Sequence, residues 1–199
     1  MLGRVRTLLW VVVGLAALAG IYVVLNPPAP ITERSHDLPM QTLGGPFTLT
    51  GSDGKPFSSS QLAGKPAALF FGFTNCPDVC PTTLARLAKL RKQLGKGDDG
   101  FSIVFVTVDP ERDRPEDVGR YTALFNTPVI GLTGSQADIE RVKKLYGVYS
   151  AKAPTRGGGY SIDHTATVFL LDRSGKFVAT LAPDEGDGPA LDKLRRIAA

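Results

Sequence analysis

The chain has 199 residues, 43% of them hydrophobic and 21% charged, with a formal net charge of +4. That length holds one globular domain of ordinary size rather than a multidomain assembly. Arg4 and Arg6 supply two of the 23 Lys+Arg, leaving 21 against 19 Asp+Glu; no dense basic run carries interleaved aromatics, so nucleic acid is not expected as a partner.

Residues 8–25 (LLWVVVGLAALAGIYVVL) are apolar or small and carry no charge. They sit at the short end of what crosses a bilayer. Arg4 and Arg6 precede them, so residues 1–7 are expected on the cytoplasmic side and everything after Asn26 on the outer side. The expectation is a single-pass protein of the cell inner membrane whose domain faces the periplasm or an equivalent compartment. A cleaved signal peptide is the competing reading. Against it, the small-residue cleavage pattern is poor and the segment runs straight into Pro27-Pro28. No cysteine directly follows, which excludes a lipoprotein anchor. Residues 26–42 are proline-rich and polar and read as a tether, leaving 43–199 as the domain.

Within that domain, Pro46–Thr50 and Ser52-Asp53-Gly54-Lys55 read as a short strand and a turn. Ala67–Phe73 is an apolar strand, followed by a helical pattern through Leu84, Leu87, Leu90 and Leu94 that fades at Gly95-Lys96-Gly97. Ser102–Val108 is a second near-continuous apolar run, expected to be buried on both faces. Pro115–Phe125 reads as a helix and Val129–Leu132 as a short strand. Ser135–Tyr146 reads as a helix with Ser135 as N-cap and Gly147 as stop. Gly157-Gly158-Gly159 marks a flexible loop. Thr167–Leu171 and Phe177–Leu181 form a hairpin across Arg173-Ser174-Gly175, and Ala190–Ile197 a terminal helix. The fold class is α/β: a mixed sheet flanked by helices, with an added hairpin. Cysteines between the first central strand and the next helix give it a thioredoxin-like arrangement.

Cys76 and Cys80 are the two cysteines of the chain. Outside the cytoplasm such a pair usually forms a disulfide, but a staple across so short a loop stabilises little. At a strand-to-helix junction, backbone N–H groups and the helix dipole favour a thiolate. His164, in the run SIDHTATVFLLD, adds an imidazole and is expected at the start of a strand that packs beside the cysteine strand. Two soft sulfurs and one imidazole suit copper or zinc, and spacing alone does not choose between them. The alternative for His164 is a buried histidine hydrogen-bonded in the sheet. Asp163 is either the carboxylate that orients His164 or a solvated residue at a strand edge. Asp113-Arg114-Pro115-Glu116 has the form of an N-cap with an acidic residue three later. Asp78 reads as a cap for the cysteine helix, Pro81 is tolerated in a first helical turn, and His36 belongs to the tether.

The runs FFGFTNCPDVCPTTL, VTVDPERDRPE, Gly131-Leu-Thr-Gly134 and DHTATVFLLD, in that order, resemble the Sco/SenC proteins over roughly Gly45 to Leu181. The resemblance implies a thioredoxin-like sheet with an added hairpin and helix. It implies a membrane-anchored copper chaperone that serves the binuclear copper centre of cytochrome c oxidase. It also implies copper ligation by Cys76, Cys80 and His164, and an acidic residue at Asp113 that approaches the copper loop. Copper loading needs the dithiol, because a disulfide removes both thiolates. The implied partners are therefore the copper-site subunit of the oxidase, an upstream copper donor and a thioredoxin-like reductant. A metallochaperone rather than an enzyme is expected. The rival functions are a thiol-disulfide reductase acting on the oxidase copper-site cysteines, and a copper or redox sensor.

Two other families share part of the pattern. Thioredoxin-like oxidoreductases place two residues between their cysteines where this chain has three, and a proline where Thr165-Ala166 stands. Peroxiredoxins resemble Val79-Cys80-Pro81-Thr82 but carry a threonine where Pro77 stands.

Overall fold

The computed structural model describes residues 43–155 and 157–199, together with Trp10 and Leu15. Beyond those two positions, the expected N-terminal stretch 1–7, anchor 8–25, tether 26–42 and His36 lie outside the described residues. Among the described residues no helix is long and apolar enough to cross a membrane.

The chain opens with β1 (Thr48–Gly51), β2 (Pro56–Ser58) and β3 (Ala67–Gly72), then α1 (Val79–Gln93) and β4 (Ser102–Thr107). Next come α2 (Pro115–Ala123), β5 (Val129–Thr133) and α3 (Gln136–Tyr146). The remainder is β6 (Ser150–Pro154), β7 (Tyr160–His164), β8 (Val168–Leu171), β9 (Phe177–Leu181) and α4 (Asp187–Ala198). Among the described residues, seven strands form one sheet in the order β2-β1-β5-β4-β3-β8-β9, while β6 and β7 pair only with each other.

The two continuous apolar runs take the centre. β3 is buried at every position and runs parallel to β4, from Ala67↔Ser102 to Gly72↔Thr107. β5 continues the parallel set, whereas β8 lies antiparallel to β3 and β1 antiparallel to β5. The mixed direction expected from the element order is therefore present. Strand alternation sorts the aromatics of β3 onto opposite faces. Phe71 meets Tyr146 of α3 and Phe169 at ring-centre distances of 5.7 and 5.9 Å. Phe70 meets Phe105 at 6.4 Å, and Phe105 in turn meets Tyr121 of α2 at 5.3 Å.

Helix ends follow local chemistry. Ser135 accepts a hydrogen bond from the Asp138 amide, and Gly147 closes α3 in the left-handed conformation at φ 64°, where a glycine carries no Cβ penalty. On α1 the buried residues Cys80, Leu84, Leu87 and Arg91 recur at helical spacing, one stripe facing the sheet. Arg86 and Lys89 on that helix both pair with Asp187 of α4, at 3.0 and 2.8 Å.

The glycine run at 157–159, expected as a loop, is the turn of the β6–β7 hairpin, with Gly158 and Gly159 at φ 84° and 78°. Two expectations are corrected. The strand beside β3 begins at Val168, and His164 ends β7 instead of opening that strand. Asp113 does not cap α2: the N-cap is Arg114, whose amide donates to Asp117 Oδ2 at 3.1 Å. Proline at the first helical position suits this start, and it leaves the Asp113 side chain free to turn inward.

Candidate metal centre

Parallel strands expose their carboxyl ends on one edge, and the loops there build sites. β3 ends at Gly72 and leads to Cys76; β4 ends at Thr107 and leads to Asp109–Asp113. Cys76 is half-buried in the loop before α1, and Cys80 is fully buried in the first helical turn. The Cys80 amide donates to Cys76 Sγ at 3.4 Å, so a helix N-terminal N–H faces that sulfur. Both cysteines are free thiols. The expectation of an easily ionised pair fails for Cys80, whose pKa is pushed far up by burial and by the Cys76 side chain. Helix-terminal N–H groups do not offset the loss of water around a sulfur packed inside the domain. A metal binding there must displace the thiol proton.

His164 arrives from the separate hairpin. Its Nε2 lies 3.5 Å from Cys80 Sγ and its Nδ1 3.0 Å from the Thr165 carbonyl oxygen. An Nδ1–H donating to that carbonyl leaves the Nε2 lone pair pointing at the sulfurs. Burial lowers the imidazole pKa, opposed by the Thr165 carbonyl and the charge of Asp163, so the ring favours its neutral, ligating form. Phe70 and Phe73 flank it edge-on at 6.1 and 5.8 Å. Asp163 itself is exposed, and the orienting hydrogen bond expected of it is made by the Thr165 carbonyl. Strand alternation turns Asp163 away from the face that carries His164.

The ligand atoms of Cys76, Cys80 and His164 lie within 4.8 Å of one another. Two sulfurs and a neutral imidazole converging at that spacing fit copper, a soft ion for which thiolate is the preferred donor. A cleft of about 260 Å³ lined by Phe73, Cys76, Pro77, Val79, Asp163 and His164 opens this group to the outside. A larger cleft of about 610 Å³ between the β8–β9 turn and α4 contains none of the three donors.

Beneath the donors, Asp113 is 1% exposed. It accepts from the Thr74 amide at 2.9 Å, the Thr74 hydroxyl at 2.6 Å and the Thr107 hydroxyl at 2.5 Å. Burial raises its pKa against the opposing effect of those donors. It therefore ties the cysteine loop to the end of β4. Asp78 stands at the N-cap of α1 without capping it; its Oδ1 accepts from the Thr82 hydroxyl at 3.2 Å. Thr74, Thr107, Asp109, Arg112 and Tyr160 were missed as site residues. Asp109 and Arg112 lie in the run VTVDPERDRPE, but nothing in their spacing predicts what they contact.

Gly72 explains how Cys80 fits. A Cβ there would lie 2.8 Å from Cys80 Sγ, 2.9 Å from Phe105 Cε2 and 3.2 Å from Phe70 Cε1. Gly72→Ala should cost about 1–3 kcal/mol by overpacking and displace the Cys80 sulfur. Urea unfolding and copper titration of this variant report the two effects, and wild-type values in both would refute the tight seating.

A thioredoxin-like mixed sheet with a partly buried dithiol and a facing histidine defines a class of metal-binding thiol proteins. Within it, this chain belongs to the SCO1/SenC family, which matches residues 35–199. It is 36% identical to Protein SCO2, mitochondrial, of Saccharomyces cerevisiae, over 77% of this chain and 52% of that protein. The chain thus spans about half or less of the length of the first curated relatives it matches. The copper-bound structure of Bradyrhizobium japonicum ScoI superposes with a TM-score of 0.70, at 41% identity, over 78% of this chain and 99% of that one. BsSco, described as a cytochrome c oxidase assembly protein of the Sco family with a disulfide switch, superposes at 0.62 with 25% identity, over 80% and 95%.

Proposed function

We propose that this protein carries copper to the binuclear copper centre of cytochrome c oxidase during its assembly, with Cys76, Cys80 and His164 as the copper ligands. The observation that carries this reading is the convergence of the three donor atoms within 4.8 Å in a chain of the SCO1/SenC family. Three protein donors leave the ion a position open to a ligand from the recipient, which suits cargo better than a permanent cofactor. The partly exposed Cys76 and His164 are the donors by which copper enters and leaves, while buried Cys80 holds it. In this reading the protein is a metallochaperone rather than an enzyme. Its partners are the oxidase copper-site subunit, an upstream copper donor and a thioredoxin-like reductant. Residues 8–25 anchor it in the inner membrane, 26–42 tether the domain on the periplasmic side, and Asp113 supports the copper loop through Thr74.

A second reading, a thiol-disulfide reductase for the oxidase cysteines, is favoured by the adjacency of two free thiols and by the disulfide switch described for BsSco. His164 separates the two. His164→Ala should lower copper retention by about 10- to 100-fold or more, because losing even an outer partner of a metal ligand costs that much. The thiols should still form and break their disulfide. Cells carrying the variant should assemble the oxidase poorly when copper is scarce. Full assembly by His164→Ala alongside failure by Cys76→Ser would replace the chaperone reading with the reductase.

A further inference from the structure

The β6–β7 hairpin forms no ladder with the seven-stranded sheet, so the position of His164 depends on side-chain contacts. Alternation puts Tyr160, Ile162 and His164 on one face of β7, and Ile162 is buried while Asp163 is exposed, so that face meets the body. Ile162 contributes apolar area but no direction. Tyr160, roughly 13 Å along the strand from His164, contributes direction. Its hydroxyl donates to Asp109 Oδ1 at 3.0 Å, and Arg112 Nη1 donates to its carbonyl oxygen at 2.9 Å. The Arg112 guanidinium carbon lies 3.8 Å from the Tyr160 ring centre, and its Nε pairs with the buried carboxylate of Asp109.

We propose that Arg112 is a positioning residue for the metal centre. By clamping Tyr160 it holds the hairpin where His164 Nε2 meets Cys80 Sγ. This rests on the copper reading above. The next residue in the chain, Asp113, grips Thr74 two positions before Cys76. One short loop thus holds the hairpin with Arg112 and the cysteine loop with Asp113, coupling the imidazole to the thiols through adjacent residues. The guanidinium also lies 6.0 Å from the Phe73 ring, which flanks His164. Among the described residues Arg112 Nη2 is buried without a partner. A clamp short of one hydrogen bond is easier to open than a fully satisfied one, which suits a histidine that must let cargo go. The outer pair Lys152–Glu111, 2.6 Å apart, is exposed and adds little.

The test uses the full chain, kept reduced, with Arg112→Gln and the milder Tyr160→Phe. Without copper, amide hydrogen exchange of residues 150–164 should rise about tenfold or more in Arg112→Gln, with β3 and β4 unchanged. In competition for Cu(I) against a chromophoric chelator, Arg112→Gln should retain copper about 10- to 100-fold less well. In a His164→Ala background it should add less than about twofold, because the clamp acts through that imidazole. Tyr160→Phe should shift both readouts the same way by less, and it guards against misfolding of Arg112→Gln. Unchanged hairpin exchange in both variants overturns the proposal. So does a copper loss from Arg112→Gln that persists undiminished without His164. If His164→Ala itself leaves copper retention unchanged, the ligand reading fails and the proposal with it, whatever the exchange shows.

Discussion

Oxidising Cys76 and Cys80 to a disulfide should lower copper retention by more than about 100-fold relative to the dithiol. Losing an outer partner of a metal ligand already costs about 10- to 100-fold, and the disulfide removes two of three proposed ligands at once. The reaction takes two electrons and two protons from the pair and joins the sulfurs at about 2.05 Å, leaving no thiolate for the metal. In the reduced protein the two sulfurs lie within 4.8 Å of each other, so the pair is placed for either outcome. Cys80→Ser, which removes one of the two sulfurs, should give a smaller loss of the same sign without any redox change. The measurement is Cu(I) competition against a chromophoric chelator, with the oxidised and reduced chains side by side. Equal retention by the two forms would remove the cysteines from the ligand set.

Phe70→Ala should have the largest effect on stability, about 3–5 kcal/mol, with the melting temperature lowered by roughly 10 °C or more. Phe70 is fully buried at the centre of the sheet. It packs on Phe105 on one side and flanks the His164 ring on the other. A cavity there is walled by strands hydrogen-bonded on both edges of β3, which resist collapse into it. Denaturant unfolding of the reduced chain gives the magnitude, and Phe70→Leu should restore most of it. A loss below about 1 kcal/mol would mean that the site can close around the missing ring.

Much of the fold can be read before any coordinate is known. Ala67–Phe73 and Ser102–Val108 announce central strands because parallel strands covered on both faces have no polar alternation to display. Ser135 and Gly147 mark the ends of α3 because a capping hydroxyl and a left-handed glycine act within one turn of chain. The turn at Arg173-Ser174-Gly175 joins β8 and β9 for the same local reason: Gly175 takes φ 79°, and Asp172 Oδ1 accepts from the Ser174 and Lys176 amides. The β6–β7 hairpin stayed hidden. Ser150–Pro154 is small, polar and ends in proline, a weak strand signal, and its partner strand is held by Tyr160 and Ile162 against the body.

The donor residues were legible by type, since two cysteines and one histidine in a single domain narrow the chemistry to thiol exchange or a soft metal. Their meeting was not: Cys80 and His164 stand 84 positions apart, and only a sheet that brings β3 and the hairpin to one edge joins them. Asp113 carries a capping pattern that its neighbour Arg114 fulfils instead, because three hydroxyl and amide donors from Thr74 and Thr107 draw its carboxylate inward. The orienting contact of His164 fell to the Thr165 carbonyl rather than Asp163, and the resting state of Cys80 to the thiol rather than the thiolate. Periodicity, caps and turns are interactions among residues a few positions apart, so the sequence alone determined most of the elements, the β6–β7 hairpin excepted, and the chemical class of this protein. Burial, the direction of a carboxylate and the approach of an imidazole to a sulfur depend on which surfaces pack together, and those only the tertiary structure decided.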